Sequence, residues 1–462
     1  MPVRPTTARH FELSVSAISL CLLLAVLWLA GGASRPDVTG QVVVRAAVAL
    51  LLVGWLVLGE RPSFAHVKAP LVLLVLSIAL PLVQLVPLPP ALWQALPGRD
   101  LFIDAATLSG QSQPWRPLAI VPGAAANAAA SLTVPLATLL FWAGMKDHER
   151  RWVPSVLLCL VAANAVVGLL QFSSGGMDYP FVNDTVGVVG GTFANRNHFA
   201  LFMAFGCLLV PHWSTREAPR FSWRIPVAVG LVALFMLAVL AGGSRAGLFL
   251  VLIATALGIV VAWPSIRQTL GRAPRWATPA LVMGMVSLLG VVILVSIAAD
   301  RAQSIDRILA DDAGQDMRTR ALPTVLEAIR TYFPVGAGLG GFDPIFRIHE
   351  PFHLLKPTYF NHAHNDYLEI VLDAGVLGLA LLIAGLGWWL LSSVKAWRAG
   401  GRGHDASAKT GSAILLLVII ASLFDYPART PIMLSMVMLG ALWLARGLRS
   451  GGAPLPVDHP HL

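Results

Sequence analysis

Residues 361–378 read NHAHNDYLEIVLDAGVLG, two histidines, an Asn-Asp pair and a tyrosine that run directly into an apolar helical pattern. Histidine acts as a general base near neutral pH, so His364 or His362 at the mouth of such a helix could take a proton from a hydroxyl. Other polar groups collect in similar places: Arg196 and His198 in GTFANRNHFALF, Arg245 in GGSRAG, Arg318 and Arg320 in RTRALPTVLEAIRTYF, Asp425 and Arg429 in FDYPART. The planar arginine fork makes bidentate, charge-assisted bonds to phosphate and stays charged. Arginines beside histidines therefore point to an anionic, phosphorylated head group with proton abstraction next to it.

Each cluster also has a structural reading. Arg245 can cap a tight helical hairpin whose glycines allow the turn. Arg318 and Arg320 can form a solvated helix face, His198 can be an interfacial hydrogen-bonding residue, and Asp425 can merely end a helix. Metal patterns fare worse. HEPFH at 349–353 matches H-E-x-x-H, but that pattern needs a helix, and Pro351 in its middle disrupts one. The pair His362 and His364 lacks a cysteine or a spaced acidic partner. GAGLGG at 336–341 follows a helix rather than a strand, so it reads as a turn and not a dinucleotide loop.

The elements that must position these residues are apolar helices. The chain has 462 residues, 56% hydrophobic and 12% charged, about half the charge of an ordinary soluble domain. The three cysteines fall in apolar runs, where packing is their expected role. About twelve segments approach the roughly 20 residues that cross a bilayer: 13–32, 41–59, 69–87, 124–145, 152–171, 197–211, 225–242, 246–264, 277–297, 366–394, 411–425 and 430–447. The expected fold is all-α, a polytopic integral membrane protein with a large outward loop between the ninth and tenth helices.

The divisions expected are 1–123 (three helices and the first outward loop), 124–297 (helices four to nine), 298–365 (the outward loop domain), 366–447 (helices ten to twelve) and a tail, 448–462. Lysine and arginine concentrate in alternate connections, which makes that side and both termini cytoplasmic. All the polar clusters above then fall on the opposite face. The charge of +9 forms no basic stripe or aromatic platform, so a nucleic-acid partner is not expected.

In combination these residues resemble the O-antigen ligase and polymerase family of bacterial inner-membrane glycan transferases. His364-Asn365, nine residues, then Gly375 and Gly378 reproduce the spacing of the family's ligase signature. SRAG looks like its Ser-Arg-Gly/Ala element, and Arg318 with Leu322 like its R-x-x-x-L element. The resemblance implies transfer of a glycan from undecaprenyl pyrophosphate to an acceptor hydroxyl, on lipid A core or a growing polysaccharide, at the periplasmic face. It implies His364 as base and Arg245 and Arg318 as the pyrophosphate clamp, with inversion and no cofactor or metal. Substrate contacts are expected from Arg196, His198, Arg320, His362, Asn365, Tyr367, Glu369 and Asp373. Asp373 is expected to orient His364 or hold sugar, and Gly375 and Gly378 to allow close packing. Small hydroxylated residues of some ligases are replaced by Leu379-Ala380, which leaves ligase and polymerase open. A transporter of the same lipid-linked glycan is the alternative from another class.

Overall fold

The computed structural model describes residues 13–174, 179–182, 188–215, 223–271, 313–355, 360–399 and 406–448, with isolated positions between 272 and 312. The described chain is almost entirely helical. The helices that carry the argument are α1 (Val15–Ala30), α2 (Thr39–Leu58), α3 (Lys68–Gln84), α4 (Pro90–Gln94), α5 (Asp100–Leu108), α6 (Pro122–Ser131), α7 (Thr133–Gly144), α8 (Asp147–Arg150), α9 (Val153–Ser174) and α10 (Arg196–Thr215). They continue with α11 (Arg224–Gly242), α12 (Arg245–Leu270), α13 (Ala313–Tyr332), α14 (Phe342–His349), α15 (Asp366–Arg398), α16 (Ala406–Ala421) and α17 (Pro431–Gly447). A two-residue β1 (Pro87–Leu88) pairs antiparallel with β2 (Arg116–Pro117).

Among the described residues six helical stretches are long and apolar enough to cross a membrane: Thr39–Leu58, Pro122–Gly144, Asp147–Ser174, Arg224–Gly242, Arg245–Thr269 and Asp366–Arg398. Val15–Ala30, Lys68–Gln84, Ala406–Ala421 and Pro431–Gly447 are shorter apolar helices. The segment expected at 277–297 lies almost wholly outside the described residues, as do most of 298–312 and the tail beyond 448.

Helix α10 is the centre. Every side chain from Phe199 to Val210 is buried, as a helix apolar on all faces must be. It packs on α9, α11, α12 and α16, while α1, α7 and α17 complete the same core. By contrast α2 and α3 expose rows of Leu and Val (Leu50, Val53, Leu56, Val57, Val72, Val75), a surface suited to lipid.

The expected amphipathic helix of the long loop exists as α13, and the loop has a core of its own. Val325, Ala328, Tyr332, Phe342, Phe346 and Phe360 pack together and onto Leu372 of α15. Arg99 ties in the first outward loop. Fully buried, it donates to the carbonyls of Pro97, Leu118 and Gly336 at 3.1, 2.9 and 3.3 Å and lies over the rings of Trp93 and Tyr332. Burial depresses its pKa to about 10.

Candidate functional site

At one end of the bundle, Gly243 (φ 63°) closes α11 in the left-handed conformation and Ser244 caps α12, its Oγ accepting from Gly247 N at 2.9 Å. This is the tight hairpin that the glycines of GGSRAG predict. It leaves Arg245 exposed on the first turn of α12. Ser244 Oγ donates to Asn197 Oδ1 at 2.7 Å. Asn197 in turn donates to Asp425 Oδ2 at 2.6 Å, joined by Asn195 at 3.1 and 3.2 Å and by the Tyr426 backbone at 3.0 Å. Asp425 is therefore a buried hub between the start of α10, the α11–α12 hairpin and the α16–α17 connection.

Three basic side chains converge on it. Nδ1 of His364 lies 3.3 Å from Oδ1, His198 Nε2 3.8 Å from Oδ1, and Arg318 Nη2 3.8 Å from Oδ2. The His364 approach is close without hydrogen-bond alignment. Arg318 also donates to the Phe424 carbonyl at 2.9 Å, which fixes its guanidinium at this corner. Burial alone would raise the Asp425 pKa. The interaction with His364 and the charges of His198, His364 and Arg318 outweigh it and hold the carboxyl well below the usual carboxylate range. The His364 ring sits between Phe360 and Tyr426, with centroids 5.1 and 4.9 Å away. Its backbone takes φ 51°, left-handed for a non-glycine residue, a conformation that costs about 1–3 kcal/mol and concentrates at functional sites.

Across the Tyr426 ring lies a second cluster. Arg429 reaches Asp366 Oδ1 at 3.4 Å, Glu369 Oε1 at 3.5 Å and Asp373 Oδ2 at 3.4 Å, and all three acids are buried. His362 packs on Tyr426 at 4.1 Å between centroids, and its Nδ1 bonds Glu369 Oε1 at 2.8 Å. The carboxylates recur on one face of α15 at spacings of three and four residues, which is what lets a single guanidinium serve them all.

Helix α15 is broken at Gly375 (φ 55°, ψ −137°), and the turn 334–341 docks in the break. Ala337 N donates to Leu372 O at 2.9 Å, Gly338 N to Asp373 O at 2.8 Å and Gly340 N to Asp373 Oδ2 at 3.0 Å. In return Val376 N donates to Pro334 O at 2.8 Å. The backbone groups freed by the break thus find partners in the turn, as burial requires. A Cβ on Gly375 would stand 2.0 Å from Pro334 O. The expectation that this glycine serves helix packing is corrected: it permits a non-helical φ/ψ against a foreign backbone.

Of the residues singled out in the sequence, His364, Arg318 and His198 meet at Asp425, and Arg245 is connected to them through Ser244 and Asn197. Arg196 is exposed on the first turn of α10. Arg320 turns away and donates to His353 O at 3.1 Å. Asn365 is the N-cap of α15, accepting from Leu368 N at 3.1 Å, and Tyr367 donates to Ile419 O at 2.7 Å. Both hold the scaffold. Asp373 lies on Arg429 and Gly340, not on His364; Asp425 holds the place expected of it. His349 ends α14, and His353 falls in a separate 3-10 turn beyond Pro351, so the H-E-x-x-H letters share no helix.

Sequence reasoning gave Asp425 and Tyr426 no role at His364, and passed over Arg45. Arg45 sits within α2, where its guanidinium bonds Asn127 of α6. An arginine inside an apolar span was the available signal.

These features define a helical protein of membrane-spanning character with a His–Asp–Arg constellation at one end of its bundle. Residues 229–383 match the family model for O-antigen ligase, which supports the O-antigen ligase/polymerase family. The matched stretch contains Arg245, Arg318, His364, Gly375 and Gly378; Asp425 and Arg429 lie beyond it. No curated protein matches the chain.

Proposed function

We propose that the protein transfers a glycan from a polyprenyl pyrophosphate carrier, undecaprenyl pyrophosphate in bacteria, to a hydroxyl of lipid A core or a growing polysaccharide. The observation that carries this reading is the convergence of His364 and Arg318 on buried Asp425 beside the α12 N-terminus that bears Arg245. His364 takes the proton of the acceptor hydroxyl, and Asp425 stabilises the imidazolium that forms. The acceptor oxygen attacks the anomeric carbon opposite the pyrophosphate, the carbon–oxygen bond to the carrier breaks, and the configuration inverts. Arg245 and Arg318 balance the charge left on the pyrophosphate. Pyrophosphate is already a good leaving group, so neither a nucleotide sugar nor a metal is needed. The setting is the bacterial inner membrane, crossed many times, with both termini cytoplasmic and this site facing the periplasm.

A transporter of the same lipid would use broken helices around a midplane site, and α15 is broken. The break is filled by the turn 334–341, which favours transfer. Purified protein given a lipid-pyrophosphate glycan and acceptor should transfer, and His364→Ala and Arg245→Ala should abolish it. Full activity in both variants overturns the proposal. The glycan that accumulates without the protein sorts the two family activities: single repeats indicate a polymerase, long chains a ligase.

A further inference from the structure

His362 belongs to a constellation to which the transfer proposed above assigns no chemical step. Its Nδ1 lies 2.8 Å from Glu369 Oε1 and its Nε2 lies 3.1 Å from Ser34 Oγ. The other Glu369 oxygen accepts from Ala363 N at 2.9 Å, so the carboxylate is locked on the imidazole. A carboxylate oxygen only accepts, so Nδ1 carries a proton, and in the neutral imidazole Nε2 then presents a lone pair. Ser34 therefore donates its hydroxyl proton toward Nε2. Carboxylate, imidazole and hydroxyl are aligned in the order that activates a serine nucleophile, within the distances that define such a triad.

Ser34 and His362 also share a cavity. They line it together with Arg35, Asn361 and Arg429, and the volume is about 810 Å³. Most of the remaining wall is apolar and reaches Trp388 and Trp389 on α15. Asp366 and Trp389 on α15 would be about 35 Å apart along an unbroken helix, so even with the break at Gly375 the cavity wall spans much of a bilayer core. His364, Asp425 and Arg318 do not line this cavity, so it opens on the other side of Tyr426 from the transfer site.

We propose that Ser34, His362 and Glu369 form a second reactive centre that takes the acyl group of a long-chain lipid ester whose chain lies in this cavity. Ser34 Oγ attacks the ester carbonyl while its proton passes to His362 Nε2. The ester carbon–oxygen bond breaks, and the departing alcohol takes that proton. Water, deprotonated by His362, then opens the acyl-serine, releasing the fatty acid and restoring the hydroxyl. Asn361, which lines the same cavity, brings an amide N–H donor for the carbonyl oxygen.

The test is covalent labelling of the full chain in detergent with a long-alkyl fluorophosphonate, the adduct being mapped by mass spectrometry. The expected result is a single adduct on Ser34, formed about a hundredfold more slowly in His362→Gln and absent in Ser34→Ala. A methyl fluorophosphonate should label wild type more slowly than the long-chain probe. This comparison needs no variant and stands if a substitution fails to fold. Lack of an adduct on Ser34, labelling unaffected by His362→Gln, or equal rates for both probes overturns the proposal. None of these readouts depends on glycan transfer, so failure here leaves the reading of His364 untouched.

Discussion

Around Asp425 one carboxylate meets three basic side chains; around Arg429 one guanidinium meets three carboxylates. The two clusters share the Tyr426 ring between them and use the same residue types, yet their charge balance is inverted. The first sets one buried carboxylate against two histidines and Arg318, which is partly exposed. The second gathers three carboxylates around one guanidinium, ties α15 to the α16–α17 connection, and borders the cavity that Ser34 and His362 share. Proximity of like residues therefore says little about role, whereas the ratio of charges and their exposure says much.

The widest separation between the clusters should appear with Arg429→Met. Removing the one cation leaves three buried carboxylates uncompensated, and losing one partner of a buried pair costs about 3–5 kcal/mol. A large fall in thermal midpoint and in folded yield is expected, and an unchanged midpoint would refute the scaffold role. Asp425→Asn tests the other side. Transfer should fall by on the order of a hundredfold, about 2.7 kcal/mol in the barrier, with a far smaller loss of midpoint than Arg429→Met.

Acid titration of those same proteins sharpens the contrast. A carboxyl whose folded pKa is depressed contributes stability that is present above its unfolded value of about 4 and lost as pH falls through the folded one. Wild type and Asp425→Asn should thus differ by a constant amount near neutrality and converge below about pH 4. A difference that grows on acidification would be the wrong sign.

Gly375→Ala probes the join between α15 and the turn. Left-handed backbone and the contact with Pro334 O should cost about 1–3 kcal/mol, while Gly387→Ala, whose Cβ meets nothing within 4 Å, should be neutral or slightly stabilising. Asn365→Ala removes a helix cap and the bond from Nδ2 to Leu423 O and should cost about 1–2 kcal/mol in midpoint measurements. Equal costs for the two glycines would mean that the break is not held by the turn.

Much of the frame was legible in the sequence because apolar runs of spanning length leave few alternatives to helices. The hairpin at Gly243, the amphipathic α13 and the glycine-rich turn also followed from local chemistry. His364 was legible through its spacing to Gly375 and Gly378. Asp425 was singled out as a polar residue, but its pairing with His364 was not legible, because it sits 61 positions beyond His364 and reads equally as the end of an apolar run. Nothing local reports that α16 brings it back to α15. Asp373 was misplaced for a related reason. Helical spacing put it on the same face as Glu369, correctly, but the cation that claims that face comes from Arg429 in another segment. Ser34 precedes α2 in an ordinary-looking GGASRPD stretch, and only the fold sets it against His362.

The docked turn at Gly375 has a consequence for engineering. Because 334–341 completes the backbone bonding of 372–376, the stretch 313–365 that carries this turn is not a removable insert, even though its length invites trimming. Chimeras that exchange this loop between related chains should carry both pieces together, the turn and its socket, and swap boundaries drawn at the helix start near Asp366 would separate them.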